Sequence, residues 1–268
     1  EPACLELGNW YVELANGASP SGKAICLNRA VVYLERFLDL HKAEDTSRTQ
    51  GTLLLDKAVA GRKQLEAAGK PIVKLGEWTD LLKLVDVKKH AVRGLWERKG
   101  AVLYGSGAGS PKEGILRLML PVAPQGSYEL RVKFARLSGK FNVGLILPVG
   151  DAAVLACFGH AEEYYGIGLV DGKRPSSNRT TVRSEKMVNG RVYLVTVKVL
   201  VAGEKAEIAI DLAGKNLIRW QGKQSSLSLH SSARLPDSGC LGVSFGGSPV
   251  AFKEVKLRML SGEAKVVK

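Results

Sequence analysis

The alternation of apolar and polar positions divides this 268-residue chain in two. Over the first third, apolar residues recur at spacings of three and four; from about Trp78 to Met259 they recur at every second position. A period of 3.6 lines one face of a helix and a period of two lines one face of a sheet, so the chain is expected to begin as helix and continue as strand. The strand pattern is clearest in RLMLPV (117–122), SYELRVKFARL (127–137), FNVGLILPVG (141–150), RVYLVTVKVLVAG (191–203), EKAEIAIDLAG (204–214) and FKEVKLRML (252–260). Gly, Pro, Asn or Asp follows most of these runs. The expected fold is mainly β: antiparallel sheets with one wet face, closed into a two-sheet sandwich or barrel.

Three helices are legible before the strands. The first, in ACLELGNWYVELANG, stops at Asn16-Gly17, residues that tolerate positive φ. A second opens at Ser19-Pro20-Ser21 and carries Ala24, Leu27, Ala30, Val31, Leu34, Phe37 and Leu38 down one face. The third follows Asp45-Thr46-Ser47, carries Leu53, Leu54, Ala58, Gln64 and Leu65, and ends at Ala68-Gly69-Lys70-Pro71. Gly8, Trp10 and Tyr11, followed by small residues in the next helix, resemble a tetratricopeptide-type hairpin. One or two helices of such an array cannot bury their own faces, so packing on the β part or on upstream helices of the same polypeptide is expected. The expected division is residues 1–70 helical, a linker through AAGKPIVKLGE, a β-sandwich over 75–262 and a tail over 263–268.

Charge sharpens this division. Residues 1–70 hold nine Lys/Arg against nine Asp/Glu, so the whole net charge of +13 falls on the remainder. A basic β region admits an anionic partner such as a glycan or other anionic polymer, although Lys and Arg also alternate on solvent faces, as Arg131, Lys133 and Arg136 do. Aromatics are only 6% of the chain and no basic run is interleaved with them, which argues against nucleic acid. No stretch approaches eighteen apolar residues, so no membrane span is expected. The sequence starts at Glu1 without Met or a basic-then-apolar leader, which reads as processed or cut from something longer, so the N-terminus does not give the compartment. Cys4, Cys26, Cys157 and Cys240 show no CxxC spacing and no His at ligand distance, so no metal and no cofactor are expected; Cys4 and Cys26, on adjacent helices, are left as bonded or free.

From Trp78 onward, WTDLLKLVDVKKHAVRGLWERKGAVLYGSG, RLMLPVAPQGSYELRVKFARLSGKFNVGLILP and GIGLVDGK with TTVRSEKMVNGRVYLVTVKV resemble concanavalin A-like jelly-roll domains of bacterial multidomain proteins. The branch is the one related to laminin-G-like modules and to 3-keto-disaccharide hydrolases. The features are a Trp-x-Asp-Leu entry and a hairpin with Gly94, Trp96, Gly100 and Leu103. A Tyr128–Phe134 strand, a segment ending in Asp171-Gly172-Lys173 and an Asn-Gly-Arg-x-Tyr turn at Asn189–Tyr193 follow. The resemblance covers roughly residues 75–262 and implies the fold, with Trp96 in the core. Family 16 glycoside hydrolases, once grouped loosely with this branch, place two carboxylates about 5 Å apart from an E-x-D-x-E strand. No such triplet occurs here, and the stretch nearest the Gly-Tyr-Glu strand of the keto-sugar group reads Tyr165-Gly166-Ile167-Gly168, without the acid.

Candidate chemistry concentrates in FGHAEEYYG (158–166). His160, Glu162 and Glu163 form the densest titratable cluster and are the acid/base candidates for an enzyme, although adjacent strand residues point to opposite faces. Tyr164 and Tyr165 offer one ring to a concave sheet for sugar stacking and one to the core, with His160, Asn142 and Arg179 completing the expected ligand site. Trp220 reads as a core or edge filler, Asp171-Gly172 as a hairpin turn, Asn178-Arg179-Thr180 as a chance sequon, and GSGAGS (105–110) as a loop rather than a phosphate cradle. These features point to a non-catalytic interaction or carbohydrate-binding module of a larger bacterial envelope or secreted protein. The alternatives are a glycan- or keto-sugar-processing hydrolase or lyase, and a purely structural domain.

Overall fold

The computed structural model of the chain describes residues 2–67, 73–107, 114–160 and 163–267, arranged as two compact units, Glu1–Pro71 and Ile72–Lys268. The expected end of the third helix at residues 68–71 and residues 108–110 of the GSGAGS loop lie outside the described residues.

The first unit is three helices, α1 (Pro2–Gly17), α2 (Pro20–Leu40) and α3 (Thr46–Ala67). Ser19 caps α2, its hydroxyl accepting the Gly22 N–H at 3.3 Å, and the Asp45 carboxylate accepts the Arg48 N–H at 3.0 Å at the start of α3. These helices bury a core among themselves: Val12, Ala15, Leu27, Ala30, Val31, Leu34 and Ala58. Glycines make the crossings close. A Cβ on Gly8 would stand 2.5 Å from Leu34, and one on Gly51 would stand 2.8 Å from Phe37.

The second unit is the two-sheet antiparallel sandwich that the alternation implied. Its strands are β1 (Thr79–Asp80), β2 (Ala91–Arg93), β3 (Leu95–Lys99), β4 (Val102–Ser106), β5 (Leu116–Met119), β6 (Val122–Gln125), β7 (Tyr128–Arg136), β8 (Val143–Val149), β9 (Ala152–His160), β10 (Tyr164–Gly168), β11 (Val182–Arg183), β12 (Tyr193–Ala202), β13 (Lys205–Leu212), β14 (Lys215–Lys223), β15 (Gly242–Phe245), β16 (Val250–Met259) and β17 (Glu263–Val266). An eight-stranded sheet runs β14-β13-β12-β7-β16-β4-β3 with β1 also paired to β16, and a seven-stranded sheet runs β11-β10-β9-β8-β15-β5-β2. The expected tail at 263–268 is instead largely strand: β17 pairs with β6.

The core lies between the sheets. Leu130, Val132 and Phe134 of β7 and Val195, Val197 and Val199 of β12 face Val143, Leu145 and Leu147 of β8, all fully buried. Trp96 is buried, packs edge-on against Phe245 with ring centroids 5.2 Å apart, and donates its indole N–H to the Arg93 carbonyl at 3.0 Å. Arg136 is also buried; its guanidinium donates to Asn189 at 2.6 Å, to the Phe141 carbonyl at 3.3 Å and to the Met187 carbonyl at 2.5 Å, pinning the Asn-Gly turn to the end of the sandwich.

The expectation of one wet face per sheet fails for the seven-stranded sheet. Every residue of β8 is buried, because the outer face carries a second apolar cluster. Met119, Ile146, Leu155 and Cys157 of the sheet pack there against Ala233, Leu235 and Cys240 of the segment between β14 and β15. Burial pushes the Cys157 and Cys240 thiols up to about 12, so both behave as small hydrophobes rather than nucleophiles.

Candidate functional site

The outer face of the seven-stranded sheet has two ends with different chemistry. At one end, β9 carries Gly159 at φ +71° just before its last residue, and its register against β10 shifts between Tyr164 and Gly166. Strict alternation from Cys157, which faces outward, would send His160 inward. The bulge inserts one residue and brings His160 opposite Tyr164 on the outer face. Tyr164 in turn pairs with Arg183 on β11. The Arg183 guanidinium is centred 4.9 Å from the Tyr164 ring and donates to its hydroxyl at 2.5 Å.

The loop between β10 and β11 folds back over this end. Asp171 and Gly172 take φ of +50° and +72°, a two-residue turn with both central residues left-handed, closed by the Val170–Lys173 hydrogen bonds at 2.9 and 3.1 Å. The Asn178 amide donates to the carbonyls of Ile167 at 2.6 Å, Lys173 at 3.1 Å and Arg174 at 3.0 Å, while its oxygen accepts from the Thr180 hydroxyl at 2.6 Å. The sequon asparagine is therefore a staple within the loop. Pro175 lies so close to β10 that a Cβ on Gly166 or Gly168 would stand 2.7 or 2.9 Å from it, which explains the missing carboxylate in this strand: no side chain fits beneath the loop. Burial, together with the Arg174 charge, holds His160 below the ordinary imidazole range, so its ring is neutral near pH 7.

The expected ligand residues separate on this frame. His160 and Tyr164 share the outer face, and Asn142 directly precedes the neighbouring β8, its carbonyl accepting the Gly246 N–H at 2.9 Å. Tyr165 does not join them. It is buried between the sheets and donates its hydroxyl to the Glu185 carbonyl at 2.9 Å. Arg179 is turned to the edge of the eight-stranded sheet, 5.7 Å from the ring of the buried Trp220, and donates to the Gln221 carbonyl at 3.3 Å. Glu162 lies outside the described residues, and Glu163 sits in the turn before β10, where its carbonyl accepts the Ser184 N–H. Among the described residues, His160 faces cations rather than a carboxylate partner. Arg183, which sequence reasoning missed, belongs with Tyr164 through cross-strand pairing that no local pattern reveals.

At the other end of β9, roughly 23 Å away at about 3.3 Å per strand residue, a cleft of about 1210 Å³ opens beside Ala152 and Ala153. Its walls come from the β8–β9 turn, the β12–β13 turn and the segments 223–229 and 234–239. Gln224 holds these walls together. Its amide oxygen accepts the Asp151 N–H at 3.0 Å, its NH₂ donates to the Gly203 carbonyl at 2.7 Å, and its backbone N–H donates to the Glu204 carbonyl at 2.9 Å. Gly150 must remain glycine, with φ +60° and a would-be Cβ 2.1 Å from the Gln224 side chain. Asp151, Glu204, Lys223 and Arg234 supply charge, Ser225, Ser228 and Ser238 hydroxyls, and Leu227, Leu229 and Leu235 apolar surface. Asp151 and Glu204 both stand exposed on their turns. Among the described residues no group of three or more His, Cys, Asp or Glu is placed to hold a metal ion, and no helix is long and apolar enough to cross a membrane.

No protein-family model matches the sequence, and no curated protein matches it either. Solved structures with a similar architecture include lectin I-B4 from Griffonia simplicifolia in its metal-free form, 11% identical over 71% of this chain and 100% of the lectin, with a TM-score of 0.41. The apo Crh5 transglycosylase is 9% identical over 72% of this chain and 87% of its own, with a TM-score of 0.44. The exoplasmic/lumenal domain of VIP36 in a Ca²⁺/Man3GlcNAc-bound form is 11% identical over 64% of this chain and 83% of its own, at 0.39.

Proposed function

We propose that the β unit is a non-catalytic carbohydrate-binding module, working within a larger bacterial envelope or secreted protein, and that its glycan lies in the cleft beside Ala152 and Ala153. The observation that carries this reading is the lining of the cleft. Sugars present hydroxyl edges and C–H faces in alternation, and here serines, an amide and charged groups alternate with leucines and alanines. A volume of about 1210 Å³ exceeds the roughly 300–1,000 Å³ typical of small-molecule sites, which suits an extended ligand. The family resemblance of the Trp96 hairpin and the Asp171–Lys173 segment supports the bacterial multidomain setting.

The test is to screen the full chain on a glycan array and measure affinity for the best ligand by calorimetry. Ala153→Tyr places a ring in the cleft from the outer face of β9 and is expected to weaken binding about tenfold or more, the effect of losing roughly 1.4 kcal/mol, without lowering the unfolding temperature. Unchanged affinity in this variant would remove the glycan from the cleft.

One observation favours a hydrolase as the second reading: Asp151 and Glu204 stand on two turns that Gln224 ties together. Their exposure speaks against it, since a general acid is equipped by desolvation. Release of reducing ends from the array ligand, abolished by Asp151→Asn or Glu204→Gln, would replace the binding-module reading.

A further inference from the structure

We propose a second binding site at the opposite end of the same sheet face, an oxyanion subsite for the carboxylate or sulfate of an acidic glycan, formed by Arg174, Arg183, Tyr164 and His160. Its basis is a count of donors against acceptors. The Tyr164 hydroxyl accepts from Arg183, which leaves its own proton to donate, and no described residue accepts it. The neutral His160 ring carries one N–H, and no described residue accepts that either. Neither Arg174 nor Arg183 has a carboxylate within ion-pair distance among the described residues. Several cations on the outer face of the other sheet do, with Arg131, Lys133 and Lys256 on Glu254, Arg258 on Glu129 and Arg219 on Asp211. Four side chains that keep donors without an acceptor among the described residues, Arg183 beyond its one bond to the Tyr164 hydroxyl, describe the complement of an oxyanion, and the planar guanidinium fork suits carboxylate and sulfate geometry.

Two features hold the donors in place. The Gly159 bulge turns His160 onto the same face as Tyr164. The Asn178 staple fixes the loop that carries Arg174, through the Arg174 carbonyl itself. The groups facing His160 are Tyr164 on β10, Arg183 beyond it on β11 and Arg174 on the loop, with Glu163 in the turn leading into β10. An anion bound among them would favour the imidazolium, so binding takes up a proton and tightens as pH falls.

The experiment is calorimetry on the full chain with three probes of equal length: a sulfated heparin-derived hexasaccharide, a carboxylated hexagalacturonate and neutral cellohexaose. The expected result is that one or both acidic probes bind at low ionic strength. Arg174→Gln and Arg183→Gln should each weaken that binding about tenfold, the scale of one charge-assisted hydrogen bond, and should flatten its salt dependence. Tyr164→Phe, which keeps the ring beneath Arg183 and removes only the donor, should weaken it several-fold. Acidic probes should bind more tightly at pH 5.5 than at pH 7.5, and His160→Gln should abolish that difference. Preference between the sulfated and carboxylated probes identifies the anion. Ala153→Tyr separates this site from the cleft: neutral binding should fall while acidic binding persists. The proposal is overturned if neither acidic probe binds, if the Arg174→Gln/Arg183→Gln double variant binds them unchanged, or if Ala153→Tyr alone removes acidic binding and so assigns the anion to Lys223 and Arg234.

Discussion

The two sheets of the sandwich share one core and treat their outer faces in opposite ways. On the eight-stranded sheet several outward residues are charged and pair with one another. The Glu254 carboxylate lies 2.8 Å from Arg131, 3.6 Å from Lys133 and 3.5 Å from Lys256, Glu129 pairs with Arg258, and Trp78 lies with the Arg131 and Arg258 guanidiniums 5.1 and 4.7 Å from its ring. On the seven-stranded sheet the middle of the outer face is apolar and covered by the segment before β15, and unpaired chemistry is left at its two ends. Part of the positive charge of the β unit is therefore already paired on one sheet.

Substitutions can break or sharpen this comparison, and the shared core sets the upper scale. Trp96→Ala removes the ring that bridges the sheets at Phe245 and is expected to cost about 3–5 kcal/mol, read as a lower denaturant midpoint of the β unit. The outer faces should then respond unequally to added bulk. A Cβ on Gly144 would stand 2.5 Å from the Ser244 hydroxyl and 2.9 Å from Leu155, with the Ala156 carbonyl at 3.3 Å. Gly144→Ala should therefore cost about 1–3 kcal/mol, while Ala209→Val on the outer face of β13 should stay within about 0.5 kcal/mol. Equal effects would mean that Ser244 and Leu155 yield to the added methyl.

The charged face should answer to pH where the covered one does not. Burial pushes the Glu254 carboxyl up, but Arg131, Lys256 and Lys133 together outweigh it and hold the group below the usual carboxylate range. A carboxyl lowered in the folded state contributes stability above its unfolded value near 4.5 and loses it as pH falls through the folded value. Glu254→Gln should thus flatten the acid limb of the stability profile below about pH 4.5, at a cost near neutrality of about 1 kcal/mol or less for so solvated a network. An unchanged acid limb would show that the cluster contributes nothing beyond solvation. An effect of the opposite sign is expected at Ser244, fully buried with a hydroxyl that has no hydrogen-bond partner among the described residues. Ser244→Ala should leave stability unchanged or raise it by up to about 1 kcal/mol, and a marked loss would reveal a partner for that hydroxyl.

The sequence determined the architecture because period and turn chemistry are local properties. Three helices, the strands of the sandwich, the left-handed Asp171-Gly172 turn and the burial of Trp96 and Trp220 all follow from spacing, from Gly and Asn placement or from the family resemblance. It also located His160 and Tyr164 together, since five positions joined by a turn were bound to meet. The rest depended on contacts between distant segments. The bulges at Gly159 and between Phe252 and Glu254 each insert one residue, and a one-residue slip reverses every later side chain, so no count of alternation could assign faces beyond them. The cover on the seven-stranded sheet comes from residues 224–241, whose apolar positions Leu229, Ala233 and Leu235 carry no strand or helix period. Gln224 reaches the Asp151 turn from seventy-three positions away, and Arg183 reaches Tyr164 from a strand nineteen positions away. Local propensity names the elements; which side chains share a surface is fixed only when those elements close around a common core.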